Sequence, residues 1–150
     1  MKNNIMSLVI VGVIFVLMAS IGYSEEKSSS DWVVYGEKND GVYSYKKVNI
    51  EKDGGNHKVQ IWNKKVFSNK GREQEIQNRK ESELPTKGYD KLSRNLDLIE
   101  IDCKKRMKQL LSIISYDTDD KVLYSADIKR EWQYIVPDSL SDFLRKQVCE

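Results

Sequence analysis

Few residues in this chain have types and spacings that carry chemistry, and each group is limited by its neighbours. His57, the only histidine, follows the Gly-rich turn "EKDGGN" and has no partner at a recognisable spacing. Nothing therefore marks a His-based triad, and a two-histidine metal site is unavailable within one chain. His57 reads as a solvated turn residue. Asp117, Asp119 and Asp120 resemble the opening of a calcium loop. Continued from Asp117, however, such a loop puts Val122 where its sharp turn needs Gly and Ile128 where the bidentate Glu belongs. A hairpin turn is the better reading. The run "CKKRMK" gathers Lys104, Lys105, Arg106 and Lys108. On a strand, Lys104, Arg106 and Lys108 share one side, either a patch for an acidic polysaccharide or protein face or an ordinary solvated face. Lys64 and Lys65 extend it if their strand lies alongside. Acidic pairs abound without the spacing of general acid–base work, and no phosphate loop or nucleophile motif is present. We expect no cofactor, no metal, no catalytic residues and no polar cleft with convergent titratable groups.

The remaining reactive side chains are Cys103 and Cys149. What they do depends on compartment. Residues 1–24, "MKNNIMSLVIVGVIFVLMASIGYS", have a basic start, an apolar run from Ile5 to Ile21 and a small-x-small site at Gly22-Tyr23-Ser24. This is the pattern of a secretory signal peptide, with a retained membrane anchor as the alternative. The polar stretch "EEKSSSD" after it favours cleavage, a polar leader over 25–30 and no stable membrane span afterwards. No cysteine near that site offers a thiol to a lipid anchor. In an oxidising compartment the two sulfurs have one connectivity, Cys103 to Cys149, which would order a chain end that otherwise frays. A redox-active pair is disfavoured because there is no C-x-x-C spacing.

Of 150 residues, 25 are Lys or Arg and 23 Asp or Glu. Without Lys2 the 25 become 24, a net charge of +1, too little basic excess for a nucleic-acid binder. A domain over 31–150 is small and gains from a covalent staple.

The positioning elements follow from periodicity. "DWVVYGE" is a strand ended by "KNDG", and "VYSYKKVNI" pairs with it as a hairpin. Val42, Val48 and Ile50 take one parity of that second strand, Tyr43 and Tyr45 the other. The less apolar tyrosine face is the candidate aromatic binding surface. "HKVQIWNKKVF" changes parity from Val59 and Ile61 to Trp62 and Val66, which predicts a bulge or strong twist near Trp62. Trp32, Trp62 and Trp132, each among apolar neighbours, are expected in the core. Residues 68–91 have few apolar side chains, so they read as an exposed, partly helical excursion outside the core. "NLDLIEIDC" is a strand. "MKQLLSIISYD" fits a helical stripe (Met107, Leu110, Leu111, Ile114) and a strand hairpinned to "VLYSA" equally well. "EWQYI" is a last short strand. A C-terminal helix starts after Pro137, with Ser139 and Asp142 as a capping-box-like pair and a stripe of Leu140, Phe143, Leu144 and Val148. Cys149 falls off that stripe, beyond the last turn.

Several pieces occur together in a recognisable order. "DWVVYGE", the tyrosine-bearing second strand, "VQIWNK", "EIDCKKR", a hairpin closing on "SYD", "EWQYIVPDS" and a terminal "VC" run from residue 31 to 149. The chain resembles the surface-adhesin protein E family of small exported bacterial proteins. The matching positions are Trp32, Trp62, Ile101, Cys103, Arg106, Tyr116, Asp117, Trp132, Ile135, Pro137, Ser139 and Cys149. The resemblance implies an α+β fold: an antiparallel sheet, a helix packed on it and one disulfide tying the helix end to the sheet. It also tips "MKQLLSIISYD" toward strand. Family adhesins bind host extracellular-matrix and plasma proteins, so the implied role is non-enzymatic contact with a protein or polysaccharide. A periplasmic accessory protein in the same fold is the alternative. Lys104, Arg106, Lys108, Tyr43 and Tyr45 are the candidate binding surface, and an exposed edge strand leaves dimerisation open.

Overall fold

Among the described residues, seven strands form one antiparallel sheet, and two helices accompany it. The computed structural model describes residues 31–53 and 56–150, so the signal-peptide reading of 1–24 and the leader over 25–30 lie outside the described residues. Strands β1 (Val33–Lys38), β2 (Gly41–Asp53) and β3 (Asn56–Phe67) are followed by helix α1 (Asn69–Glu81) and a 3-10 turn at Tyr89–Lys91. Strands β4 (Leu92–Asp102), β5 (Met107–Asp117), β6 (Val122–Asp127) and β7 (Gln133–Tyr134) precede helix α2 (Leu140–Cys149). Sheet order follows chain order from β1 to β6, and β7 also pairs with β5. The stretch that sequence left open between helix and strand is thus β5. One face of the sheet carries the main core, and we call it the inner face.

Burial along β3 fixes which face that is. Val59, Ile61, Asn63 and Phe67 alternate inward, while Trp62 is half-buried and Val66 exposed on the other side. A bulge does occur near Trp62, opposite Ile61 and Gln60, but not in β3 itself, which pairs with β4 without a break from Lys58–Asp102 to Val66–Arg94. The irregularity lies in β2, where Val48 is the extra residue between Lys47 and Asn49. Tyr43 and Tyr45 therefore face inward with Tyr35, and Val48 is exposed. A tyrosine ring buries more apolar area than a valine, which is why the tyrosine parity takes the core. His57 lies at the start of β3, half-buried, with its carbonyl accepting the Cys103 N–H.

Helix α2 lays Leu144 and Val148 on the inner face, in one cluster with Tyr35, Tyr45, Val59, Ile61, Ile101 and Ile135. Leu140 packs at the margin of that cluster, but Phe143, expected on the same stripe, is exposed. The Ser139 hydroxyl accepts the Asp142 N–H at 3.2 Å, as the cap pattern predicts. The reciprocal bond is displaced by one residue, since the Asp142 carboxylate accepts from the Asp138 N–H. Cys149 is the last helical residue and is bonded to Cys103, with 5.7 Å between their Cα atoms.

Residues 68–91 are more ordered than their composition implies. Ser68 caps α1 by accepting the Gly71 N–H at 3.0 Å. The buried Arg79 guanidinium lies 4.1 Å from the Tyr89 ring centroid and donates to the Pro85 carbonyl. Tyr89, Phe67 and Leu92 make a second small core, with Ile76 and Leu123 against it. A cation–π contact and one buried tyrosine replace the missing apolar stripe. Gly71 permits the approach of α1 to the β1–β2 turn: a Cβ there would fall 1.9 Å from the Asp40 carbonyl oxygen. Gly71→Ala should therefore lower stability by about 1–3 kcal/mol, read from urea denaturation, because backbone rather than a side-chain tip must move.

Candidate functional site

The inner face is not filled along its whole length. Beside α2 it leaves a cavity of about 380 Å³, the opposite of the sequence expectation that no cleft with convergent titratable groups exists. Its floor comes from consecutive strands through sheet register. Asn63 of β3 stands opposite Asp97 of β4, Ile99 opposite Leu110 of β5, and Ile101 opposite Lys108. Tyr35 and Tyr43 close one end. Leu140, Ser141 and Leu144 of α2 form one wall, and Ile128 to Gln133, which passes along the β5 edge, forms another.

A polar chain runs through this cavity wall. The Tyr35 hydroxyl donates to Asn63 Oδ1 at 2.7 Å, and Asn63 Nδ2 donates to Asp97 Oδ2 at 3.3 Å. Asp97 Oδ1 is buried and accepts nothing among the described residues. Burial pushes the Asp97 carboxyl up to about 6, although the Asn63 hydrogen bond and the Lys65 charge act the other way. Burial likewise raises the Tyr35 phenol, keeping it a protonated donor. Lys108 donates to Ser141 Oγ at 2.7 Å. Burial pulls its ammonium below the ordinary lysine range, with the Asp97 charge opposing. The site thus holds a mostly buried carboxylate, Asp97, and a half-buried ammonium, Lys108, beside aliphatic side chains, while Lys129 and Glu131, both exposed, also line it.

The sequence-derived site residues are scattered by the structure. Cys103 to Arg106 form a turn between β4 and β5, so Lys104, Arg106 and Lys108 do not share a strand face. Lys104 is exposed on that turn. Arg106 Nη2 reaches Asp142 Oδ1 at 3.3 Å. Asp142 also holds Arg145 and Lys146, each at 3.1 Å, and is almost inaccessible to solvent. The Lys146 ammonium, then Arg145 and the Asp138 N–H, hold its carboxyl well below the usual carboxylate range against the effect of burial. Arg106 and Lys108 both reach the start of α2; Lys108 is half-buried there, whereas Arg106 stays exposed on the turn beside Lys104 and Lys105. Lys64 and Lys65 stand farther along the sheet, opposite Leu96 and Asn95, and do not extend the group. Tyr45 is core and unavailable to a partner, whereas Tyr43 reaches the cavity with its hydroxyl donating to Asp40. Asp117 caps its own hairpin turn, accepting the N–H groups of Asp119 and Lys121, both at 2.9 Å.

Asn63 and Asp97 were missed, and one signal pointed to them. Each is a polar residue on the inward parity of a strand, after Val59 and Ile61 in one case and before Ile99 and Ile101 in the other. The profile of the family described as surface-adhesin protein E matches residues 32–150. The chain belongs to the surface-adhesin protein E family. No curated protein and no solved structure gives a significant match to it. Among the described residues, no helix of this adhesin E chain is long and apolar enough to cross a membrane.

The outer face of the adhesin E sheet has a different character. Register places Trp62, Leu98 and Ser112 in one row, Lys64, Leu96 and Ile114 in the next, and Val66, Arg94 and Tyr116 in a third. Val66 is exposed and Trp62, Leu96, Leu98 and Ile114 are half-buried. None of the three tryptophans is a core residue. Trp32 lies under the Lys64 ammonium at 4.2 Å and Trp132 under that of Lys58 at 5.4 Å. Both are amphipathic surface contacts.

Proposed function

We propose that this protein is exported and non-enzymatic, and that it holds a macromolecular partner, such as a host matrix or plasma protein, on the outer face of its sheet. Family membership supports adhesion as the role. The observation that carries the choice of surface is the outer-face band of Trp62, Val66, Leu96, Leu98 and Ile114, with Lys64 in its middle row and Arg94 beside Val66. Trp and Arg are enriched at the energetic centres of protein interfaces, and near-neutral contacts around them exclude water. The basic turn is the weaker surface, since Arg106 and Lys108 are engaged with α2.

The test has two arms. Protease shaving of intact cells should remove the protein if it is displayed at the surface; complete protection would favour an accessory role inside the envelope. In binding to immobilised matrix or plasma proteins, Trp62→Ala should weaken affinity by roughly 30-fold, as for an interface anchor. Lys104→Ala should change it by less than about threefold. The reverse order would move the site to the basic turn.

A further inference from the structure

The inner cavity lies on the other side of the sheet from that partner face, so its chemistry is independent of adhesion. At about 380 Å³ it falls in the size range of small-molecule sites. At roughly 30 Å³ per water it has room for about a dozen waters, or a comparable number of ligand heavy atoms. Three features distinguish it from a packing defect. Defects are lined by apolar groups and stay dry, whereas here Asp97 and Lys108 line the space, with the exposed Lys129 and Glu131 reaching it from the segment before β7. Neither Asp97 nor Lys108 has an opposite charge within ion-pair distance among the described residues. Both retain hydrogen-bonding capacity, since Asp97 accepts one long bond from Asn63 and Lys108 donates only to Ser141.

A buried charge without a partner is costly, and a ligand that supplies the partner recovers that free energy on binding. A simple amine would satisfy Asp97 but meet repulsion from Lys108, and a simple acid would meet the converse. Between the two charges Ile99, Ile101 and Leu110 form an aliphatic floor, faced by Leu140 and Leu144. We infer that the cavity binds a small amphipathic zwitterion, with its ammonium group at Asp97, its acid group at Lys108 and its hydrocarbon on that floor. The Tyr35–Asn63 hydrogen bond fixes the amide that steadies Asp97, and Ser141 holds the Lys108 ammonium in place. Asn63 and Ser141 are thus positioning residues.

Amino acids whose charges are separated by different lengths of methylene chain would measure the spacing. γ-Aminobutyrate, ε-aminocaproate and ω-aminocaprylate would be titrated into the purified disulfide-bonded protein and followed by amide chemical shifts. Hexylamine and caproate serve as singly charged controls. One zwitterion should give saturable shifts centred on Asn63, Asp97, Lys108 and Leu110, and bind at least about tenfold more tightly than either control. Asp97→Asn should abolish the preference over caproate, and Lys108→Met the preference over hexylamine. The spectrum of each variant without ligand checks that it is folded. No saturable shift with any zwitterion, equal affinity in the protein and both variants, or tighter binding of a singly charged control would each overturn the assignment. Trp62→Ala should leave these titrations unchanged, so failure here and failure of the adhesion reading are separable.

Discussion

Replacing both cysteines with serine (C103S/C149S) should remove roughly 4 kcal/mol of stability, which for a domain of this size lowers the thermal midpoint by about 15 °C. The Cys103–Cys149 bond closes a loop of sequence separation 46, and the chain-entropy cost of opening such a loop sets the figure. The effect should be local in its first consequence. Helix α2 has only ten residues, too few to persist without tertiary contacts. Its start is held by the Ser139 cap and by Asp142 with Arg106, Arg145 and Lys146. Its end depends on the disulfide and on Leu144 and Val148. Hydrogen exchange should therefore lose protection at Lys146–Cys149 before Leu140–Phe143. Uniform loss along the helix would mean that the helix is docked as a unit and that the bond acts only on the unfolded chain.

Much of this architecture was legible because its signals are short-range. Gly-rich and Asp-rich turns bounded the hairpins, and Pro137, Ser139 and the Leu144–Val148 stripe placed α2. What was not legible depends on register. β5 imitated a helix because Leu111 is an extra residue against β4, between the pairs Leu98–Ser112 and Ile99–Leu110. That bulge spaces Met107, Leu110, Leu111 and Ile114 as a helical stripe would be. Tyr43 and Tyr45 were assigned to the wrong face for a related reason, since the bulge at Val48 separates the parity of the first half of β2 from that of the second. Helix α1 gave a weak signal because Arg79 and Tyr89, not an apolar stripe, anchor it. The cavity could not be read from a local window at all. Its charges come from β4, β5 and the segment between β6 and β7, its hydroxyls from β1, β2 and α2, and only pairing brings them together.

Asp97→Asn should stabilise the protein by roughly 3 kcal/mol near pH 7.5 and by nothing below about pH 4. The folded-state carboxyl is raised to about 6, above its value in the unfolded chain, so the folded protein binds a proton more tightly. Its contribution to stability is full below the unfolded pKa and is lost as pH rises through about 6. The facing groups set this balance. Asn63 of β3 donates to the carboxylate, Lys65 of β3 and Lys108 of β5 attract its charge, and Glu75 of α1 repels it; burial outweighs the favourable contacts. Asparagine keeps the shape and removes the charge, so the variant should behave as the protonated protein does at every pH. Urea midpoints for the two proteins, with unchanged denaturant slopes, should diverge between about pH 4 and pH 7 and coincide below. A variant less stable than the parent at all pH values would make Tyr35, Asn63 and Asp97 a structural network whose carboxylate supports the fold. The expected outcome instead assigns Asp97 a charge that weakens the fold, the trade-off between stability and function that a binding group makes.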